Sequence, residues 1–537
     1  MTDWNFSRTD EWEYSGNAWE NKDNGFLSPV SGGSSDDSSC IQGYNFVFHN
    51  KLAYNDFEAV FDFIQKPHSD VGIVFGAKNA SSFYMLHFPC CGQAYRAQHF
   101  WVALSEMRED GYLRIIERRM VNRINSYINT VHSVSIKYKD ETLRLTIDGR
   151  ASLDLTGIRD GAGAAGLCLF NGAEIIDFRI NGAENENMPW IHNIRQSANW
   201  FHPCLSTEHG HWQRPINLLR PSAGELLLYF GMSEGYSGKP VYCFIRSYDN
   251  GMTWTAPEEW WRKEGIWEGE SRSIHVFPDN VMRCMIFRNG FRDIIMIESK
   301  DGGRSWSDAK PVFTGKIPGS MSDLYLGPQG FVNLSDGTTV MFAYGSIQTK
   351  IPDTEIYTWG SLHCQAFSAR STDGGYTWTD FINIDGTKDP VNGNAINGNM
   401  DFTEVCGVQT NCGDIAALIR PVYSPWMWEA RSTDGGATWL PAVRGPFPGY
   451  AAPNMTRTAS GFIIIAHRLP GLTVDVSADD GQTWTHSTMI DSAIWAMGSM
   501  LEVEPDIILY IYWDSFESLM RGQFFKVTGS GLIPVRY

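Results

Sequence analysis

Basic residues are scarce in this sequence. It has 43 lysines and arginines against 61 aspartates and glutamates, which gives a formal net charge of −18 at neutral pH. Nucleic acids and anionic membrane surfaces bind through clustered positive charge, so this balance excludes them as general partners. A small anionic ligand is still compatible with it, provided that a few arginines converge at one place.

A long apolar run is also lacking. No stretch reaches the roughly 18 apolar residues that span a bilayer, so we expect no membrane span. The first residues, MTDWNFSRTDEWEYSG, lack the basic and apolar regions of a secretion signal. We therefore expect a cytoplasmic protein as the chain stands. The alternative is a secreted or periplasmic protein whose leader has been removed.

The ten cysteines lack the paired spacing of a zinc site and the density of a disulfide framework. Several of them, such as Cys168, Cys243 and Cys284, lie in apolar, strand-like runs, where cysteine packs as a small hydrophobic side chain. We expect buried free thiols, no metal and no cofactor. Two close pairs stand apart from this pattern: Cys90 with Cys91, and Cys406 with Cys412.

Five copies of one octapeptide, Ser-x-Asp-x-Gly-x-(Ser/Thr)-Trp, recur in the C-terminal two thirds of the chain. They are SYDNGMTW from Ser247, SKDGGRSW from Ser299, STDGGYTW from Ser371, STDGGATW from Ser432 and SADDGQTW from Ser477. Their starts lie 52, 72, 61 and 45 residues apart, which is typical of four-stranded propeller blades joined by loops of varying length. Each copy has the residues of a tight turn, because aspartate accepts backbone N–H bonds and glycine supplies a positive φ.

This octapeptide is the Asp-box, and the chain resembles the sialidase superfamily of BNR-repeat β-propellers. The resemblance implies a six-bladed β-propeller over residues 191–537, with five boxed blades and one whose box has decayed. The turn chemistry predicts that the box aspartates are structural and lie away from the central pit. They are Asp249, Asp301, Asp373, Asp434 and Asp479.

Residues 1–190 contain no such box, and their pattern predicts a separate β unit. Alternating segments recur, and VSIKYKDETLRLTIDG from Val134 predicts a hairpin with one buried face. The closing segment GLCLFNGAEIIDFRI resembles the last strands of concanavalin/laminin-G-like jelly-roll sandwiches. The whole chain is therefore predicted to be all-β, with a jelly-roll β-sandwich that folds by itself and a propeller that follows it.

The innermost strands of a propeller direct their ends into one central pit, so we sought chemistry at the starts of those strands. The segment QRPINLLRPSAGELLLYFG resembles the opening sialidase strand and puts Arg214 at the first position of that family's carboxylate-binding arginine triad. In DFTEVCGVQTNCGDIAALIR, Glu404 and Arg420 match the family's glutamate and arginine in type, order and approximate separation. Arg468 follows a later strand much as the third arginine of the triad does.

The match to the sialidase pattern is incomplete. The position of the nucleophilic tyrosine falls on Ala496 or Met497, and the acid/base aspartate is missing after the first inner strand. Glu234 or Glu270 could donate the proton to the leaving oxygen instead. A tyrosine would have to come from another blade, such as Tyr325, Tyr423 or Tyr450. The second blade offers further substrate-binding candidates, which are Arg272, His275 and Arg288.

Together these residues predict an exo-acting glycoside hydrolase that releases a terminal acidic sugar from a glycan, with Glu404 as base or nucleophile. The 20 tryptophans and 21 tyrosines suit a sugar, whose C–H faces stack on aromatic rings. Two alternatives stay open. A polysaccharide lyase would use the same arginines to neutralise a uronate while His275 or a tyrosine abstracts the proton. A non-catalytic glycan-binding protein would explain why the tyrosine and the aspartate are missing.

Overall fold

The fold was analysed in a computed structural model of the chain. It describes residues 2–3, 12–15, 20–22, 25–27, 45–66, 69–79, 81–90, 99–125, 129–184, 199–235, 238–260, 271–288, 293–313, 324–350, 357–384, 402–421, 426–448, 453–492, 497–513 and 519–536. These residues form strands and turns, and no helix occurs among them. No helix in this part of the chain is therefore long and apolar enough to cross a membrane. The predicted all-β class is confirmed for the described residues.

The N-terminal unit is built around one long strand that pairs with several others. Its strands are β1 (Thr2–Asp3), β2 (Trp12–Ser15), β3 (Glu20–Lys22), β4 (Gly25–Leu27), β5 (Asn45–Ile64), β6 (Asp70–Asn79), β7 (Ser82–His87), β8 (His99–Met107), β9 (Leu113–Asn125), β10 (Val131–Lys139), β11 (Thr142–Ile147), β12 (Ala151–Leu155), β13 (Gly163–Phe170) and β14 (Glu174–Glu184). Strand β5 pairs antiparallel with β2, β10, β13 and β14. The jelly-roll topology of this unit stays a prediction.

The predicted hairpin is β10 and β11, which pair from Val134 opposite Ile147 to Lys139 opposite Thr142. Residues along β10 alternate between exposed and buried, because successive side chains of a strand point to opposite faces. The buried face joins an aromatic core around Phe57, Phe61 and Phe63.

The C-terminal part contains five free-standing blades. The first blade consists of β16 (Trp212–Ser222), β17 (Glu225–Ser233), β18 (Val241–Ser247) and β19 (Glu258–Glu259). The second consists of β20 (Ser271–Val276), β21 (Met282–Arg288), β22 (Asp293–Ser299) and β23 (Lys310–Pro311). The third consists of β24 (Leu324–Asn333), β25 (Thr339–Lys350), β26 (Tyr357–Ser371) and β27 (Ile382–Asn383). The fourth is β28 (Phe402–Gln409), β29 (Ile415–Pro421), β30 (Trp426–Ser432) and β31 (Val443–Pro448). The last blade has five strands, namely β36 (Met497–Glu504), β37 (Ile507–Trp513), β38 (Met520–Thr528), β39 (Gly531–Val535) and β15 (Trp200–Phe201).

A further four-stranded meander is joined to the N-terminal unit. It consists of β32 (Asn454–Arg457), β33 (Ile463–Arg468), β34 (Leu472–Ser477) and β35 (His486–Asp491), and we call it the fused meander. Its outer strand β35 pairs antiparallel with β9, with Ser487 opposite Ile115 and Met489 opposite Leu113. The predicted count of six separate blades is therefore corrected to five, because this hydrogen-bonded ladder makes the fused meander part of the N-terminal sheet.

The innermost strands form a closed ring. Strands β16, β20, β24, β28, β32 and β36 contact one another in that order, and β36 returns to contact β16. Strand β15, which precedes the first blade, pairs with β38 of the last blade, so that the two ends of the ring are held together by backbone hydrogen bonds. Equivalent strands repeat around one axis, so their starts meet at one end of the ring.

The five Asp-boxes form turns between the third and fourth strands of four blades and of the fused meander. In the first box, Asp249 accepts hydrogen bonds from Ser247 Oγ at 2.8 Å, Thr253 N at 2.9 Å and Thr253 Oγ1 at 2.5 Å. The other four repeat this arrangement. Burial alone would raise the pKa of each carboxyl, but the hydrogen bonds to the ionised form lower it overall. This is the turn role that the sequence predicts.

Five of the described cysteines are buried, as predicted: Cys90, Cys168, Cys204, Cys243 and Cys284, and the last four of them are free thiols. Cys406 is partly buried and Cys412 exposed, and both are also free. Burial raises the pKa of the Cys168, Cys243 and Cys284 thiols, which suits inert packing groups. Cys40 and Cys91 lie outside the described residues, as does the side chain of Cys364.

Candidate functional site

A cavity of about 820 Å³ lies along the axis of the ring, and we call it the axial cavity. Each of the six innermost strands contributes to its wall, as is expected for a propeller pit. The contributing residues include Arg214–Arg220 of β16, Ile274–Val276 of β20, Phe331 of β24, Gly407 of β28, Asn454–Thr456 of β32 and Met497–Leu501 of β36. A cavity of this size matches those that hold small ligands.

Two arginines of the cavity wall lie against aromatic rings. The guanidinium carbon of Arg214 is 5.6 Å from the centroid of the Trp513 ring. That of Arg272 is 4.4 Å from the centroid of the Tyr242 ring and 6.0 Å from that of Trp260. A planar guanidinium that stacks on a ring is held in one orientation by that ring. Both arginines stand at the starts of inner strands, where the sequence places Arg214 and offers Arg272.

Glu404 and Arg420 form an ion pair at the start of the fourth blade. Arg420 Nη1 donates to Glu404 Oε2 at 2.6 Å. The side chain of Arg420 is only 12% exposed and that of Glu404 only 17%. Phe402 pairs with Pro421 and Val405 with Ile419, so two residues of β28 oppose the single Arg420 of β29. Such a bulge re-aims side chains. The bulge residue Thr403 also donates to the Arg420 carbonyl at 2.9 Å.

The sequence places Glu404 and Arg420 close together, and the structure does the same. Two residues of β28, Cys406 and Gly407, line the described cavity wall. Glu404 and Arg420 do not belong to that wall, so their ion pair lies beside the cavity. Arg420 is engaged by a carboxylate, which makes it a poorer partner for an anionic ligand than an arginine on the wall.

Arg468 lies at the end of β33 and is 7% exposed. It is close enough to the buried Tyr510 for its charge to lower the pKa of that phenol, although burial raises this pKa by more. The neighbouring His467 is buried and hydrogen bonded to Asp475, so it is packed in the core. Arg457, at the end of β32, is exposed and donates to Asn411 Oδ1 at 2.8 Å.

His275 belongs to the cavity wall but is held by its neighbours. Its Nε2 is 3.0 Å from Asn333 Oδ1, and its ring stacks on Phe331 with the centroids 5.2 Å apart. Burial lowers the pKa of His275 to about 4, and the Asn333 hydrogen bond only partly offsets this. The imidazole is therefore neutral near pH 7 and weakly basic.

The remaining predicted residues lie elsewhere or outside the described part. Glu234 is exposed in the turn after β17. Glu270 lies outside the described residues, as do Tyr423 and Tyr450, and the side chains of Arg288 and Tyr325 are not described. Met497, one of the two positions that correspond to the family's tyrosine, opens β36 on the cavity wall.

Three aromatic residues of the wall were missed by the sequence reasoning: Tyr242, Tyr344 and Trp513. They come from the second and third strands of their blades. Gly231 pairs with Arg214 on one side and Tyr242 on the other, so the ring of Tyr242 reaches the cavity across a residue that has no side chain. A glycine inside a strongly apolar strand is the signal that could have revealed it.

Among the residues that the structure describes, no group of three or more His, Cys, Asp or Glu side chains could hold a metal ion.

Residues 287–497 match the family described as BNR repeat-like domain. Among solved structures, an intramolecular trans-sialidase of the leech is 12% identical, with 94% of this chain and 98% of that chain covered and a TM-score of 0.42. A sialidase from Streptococcus pneumoniae is 12% identical, with 90% and 95% covered and a TM-score of 0.43. An α-L-arabinofuranosidase of Fusarium graminearum is 13% identical, with 62% and 98% covered and a TM-score of 0.43. A search of curated proteins found no match.

Proposed function

We propose that this protein is an exo-acting glycoside hydrolase that releases a terminal acidic sugar from a glycan bound in the axial cavity. The observation that carries the proposal is the pairing of two arginines with aromatic rings on the wall of one cavity, beside a glutamate held by an arginine. Aromatic faces bind the C–H faces of a pyranose, and guanidinium groups bind its carboxylate.

Arg214 and Arg272 take the role of anion-binding groups in this proposal. The clamp expected from the sequence consisted of Arg214, Arg420 and Arg468. Arg420 instead donates to Glu404, and Arg468 is buried between the fused meander and the last blade. Of the arginines predicted from the sequence, Arg214 and Arg272 are therefore the two that line the described cavity wall.

Glu404 is proposed as the base or nucleophile. Its Oε2 is fixed by Arg420, which orients the carboxylate and balances its charge. As a general base it would take the proton from an attacking water, and as a nucleophile it would attack the anomeric carbon directly. Glu234 or Glu270 would donate the proton that the leaving oxygen needs. The separation between Glu404 and the acid would decide between the two routes.

A non-catalytic glycan-binding protein is the second candidate. One observation favours it: the described part of the cavity wall contains arginines and aromatic rings but no carboxylate. A lyase finds less support, because a His275 with a pKa of about 4 is a poor proton acceptor at neutral pH. Tyr242 or Tyr344 would have to serve as its base instead.

The test is a screen of the purified protein on aryl glycosides and natural acidic glycans. New reducing ends without a rise in ultraviolet absorbance indicate hydrolysis, whereas a rise indicates the unsaturated product of a lyase. Binding of acidic monosaccharides is measured in parallel by calorimetry. Binding without turnover on any substrate would favour the glycan-binding protein. The absence of both binding and turnover would overturn the proposal.

A further inference from the structure

Three of the contacts between the N-terminal unit and the propeller lie near the end where the inner strands start. Trp101 of β8 packs edge-to-face on Trp426 at the start of β30, with the ring centroids 5.2 Å apart. Arg118 of β9 donates to the carbonyl of Leu469, directly after β33, at 3.1 Å. Tyr112, between β8 and β9, donates to Gln523 near the start of β38 at 3.1 Å. The β8–β9 hairpin therefore contacts the fourth blade, the fused meander and the last blade, through Trp426, Leu469 and Gln523 respectively.

Tyr112 begins a chain of buried hydrogen bonds. Its hydroxyl donates to Gln523 Oε1, and Gln523 Nε2 donates to the Tyr512 hydroxyl at 2.6 Å and to the Ile490 carbonyl at 3.1 Å. The Tyr512 hydroxyl donates to Asp491, whose two carboxylate oxygens also accept from Arg521 Nη1 at 3.0 and 2.8 Å. Tyr112, Tyr512, Gln523 and Asp491 have no measurable exposure, and Arg521 is 5% exposed.

The donors and acceptors of these hydrogen bonds all run in one direction, from Tyr112 to Asp491. Burial raises the pKa of Tyr112 and of Tyr512 well above the ordinary tyrosine range, so both phenols keep their protons and act as donors. Gln523 then has to present its carbonyl to Tyr112 and its amide to Tyr512. Since every link depends on the one before it, loss of the Tyr112 hydroxyl would leave the Gln523 carbonyl oxygen buried without its donor.

The last link acts on the cavity wall through β37. Successive residues of a strand point to opposite faces, and β37 follows this rule. Tyr510 and Tyr512 pack with the fused meander, whereas Leu509 and Ile511 pack with the first blade. Trp513, which follows the anchored Tyr512, lines the axial cavity and lies under Arg214. The hydrogen bonds of Tyr512 thus fix the backbone that carries Trp513.

We propose that Tyr112 of the N-terminal unit is a positioning residue for the axial cavity: through Gln523 and Tyr512 it holds Trp513 in place against Arg214. It contacts no ligand itself. With respect to the ligand, the inference rests on the proposed function. With respect to the cavity wall, it rests only on the contacts above.

The first test compares two variants that each lose one buried hydroxyl of the N-terminal unit. Tyr112→Phe removes the donor to Gln523. Tyr138→Phe is the matched control, because Tyr138 is buried in the core of the same unit and its hydroxyl accepts from Gly161 N at 3.0 Å, without any link to the propeller. Calorimetry uses glucuronate and N-acetylneuraminate as probes. We expect Tyr112→Phe to lower the affinity for the probe by about three- to tenfold, as for a displaced positioning group. Tyr138→Phe should change this affinity less than twofold.

The second test needs no ligand. Hydrogen exchange is followed by mass spectrometry in the peptide that covers residues 507–513, and we expect it to accelerate in Tyr112→Phe but not in Tyr138→Phe. If the wild-type protein binds neither probe, the acidic-sugar part of the proposed function fails, and the exchange experiment alone decides the inference. Equal effects of the two variants on exchange, or no effect of Tyr112→Phe, would overturn it.

Discussion

Arg214 of the first blade lies over the Trp513 ring of the last blade, at 5.6 Å from its centroid. The two residues are nearly 300 positions apart in the chain, and they meet where the ring of inner strands closes. An arginine held in this way does not have to lose side-chain freedom when an anion binds, which favours binding. The closure of the ring and the formation of one half of the proposed anion site are therefore the same event.

Replacement of Glu404 by glutamine tests the catalytic role. The amide keeps the shape but removes the charge, so we expect turnover to fall by roughly two to four orders of magnitude while the affinity for the sugar changes little. Glu225→Gln is the matched control, because Glu225 is also a buried glutamate, paired with Arg246 at 2.8 Å and Arg304 at 2.7 Å, away from the described cavity wall. Steady-state kinetics of both variants on the substrate found by the screen give the answer. Near wild-type turnover of Glu404→Gln would remove Glu404 from the site and make Glu270 the leading candidate.

Replacement of Arg272 by lysine tests the anion site. Lysine keeps the charge but lacks the planar fork, so we expect the affinity for glucuronate to fall by about five- to tenfold and the affinity for neutral sugars to stay the same. The control is Arg283→Lys, since Arg283 also stacks on aromatic rings, Tyr376 at 4.7 Å and Phe277 at 5.0 Å, but outside the described cavity wall. Titration calorimetry distinguishes the two. Equal losses in both variants would indicate a general effect on packing.

The stability of the folded protein is expected to depend on pH through Glu429. Burial on β30 raises its pKa from 4.5 to about 7, and Arg431 only partly offsets this. The folded state thus binds the proton more tightly than the unfolded state, and stability falls as the pH rises from about 4.5 through about 7. Over this whole pH range the loss of stability is roughly 3 kcal/mol, at 1.36 kcal/mol per pKa unit. We expect Glu429→Gln to abolish this part of the pH dependence in urea unfolding at pH 5 and pH 8.

The exposed Glu58, which pairs with Lys137 on the N-terminal unit, gives the control for that experiment. Glu58→Gln should retain the wild-type difference in stability between the two pH values. If Glu429→Gln also retains it, the proton is bound elsewhere.

Two glycines of the cavity wall predict opposite outcomes on substitution by alanine. A Cβ on Gly407 would lie 2.7 Å from the Phe342 ring and 3.0 Å from the Ala416 carbonyl oxygen, so Gly407→Ala should destabilise the fold by about 1–3 kcal/mol. Among the residues that the structure describes, no atom lies within 4 Å of a Cβ built on Gly330, so Gly330→Ala should be neutral or stabilise by up to about 1 kcal/mol. Urea unfolding measures both. A larger loss at Gly330 would show that its surroundings are more crowded than described.

The parts of the fold that depend on short-range chemistry could be predicted from the sequence. The Asp-box turns follow from a serine, an aspartate and a threonine within a few residues of one another. The approach of Glu404 to Arg420 follows from two strands joined by a short turn. In both cases the interacting groups are close in the chain, so the pattern of residues determines the contact.

The parts that depend on strand register could not be predicted in this way. Tyr242 reaches the cavity because Gly231 stands between it and Arg214, and Trp513 does so because β37 pairs with β36 in one particular register. The ladder between β9 and β35 joins residues more than 370 positions apart. No local pattern marks such a pairing, which explains why six separate blades were expected and five were found.

The same ladder limits how this protein can be divided. Cutting the chain between its two units would leave β35 as an open edge strand, with its backbone N–H and C=O groups at residues 487–489 available to any other strand. Open edges of this kind promote aggregation. The N-terminal unit therefore protects the edge strand β35 of the fused meander by pairing with it. In evolution or in engineering, it could be exchanged for another module only if the newcomer brought a strand to take the place of β9.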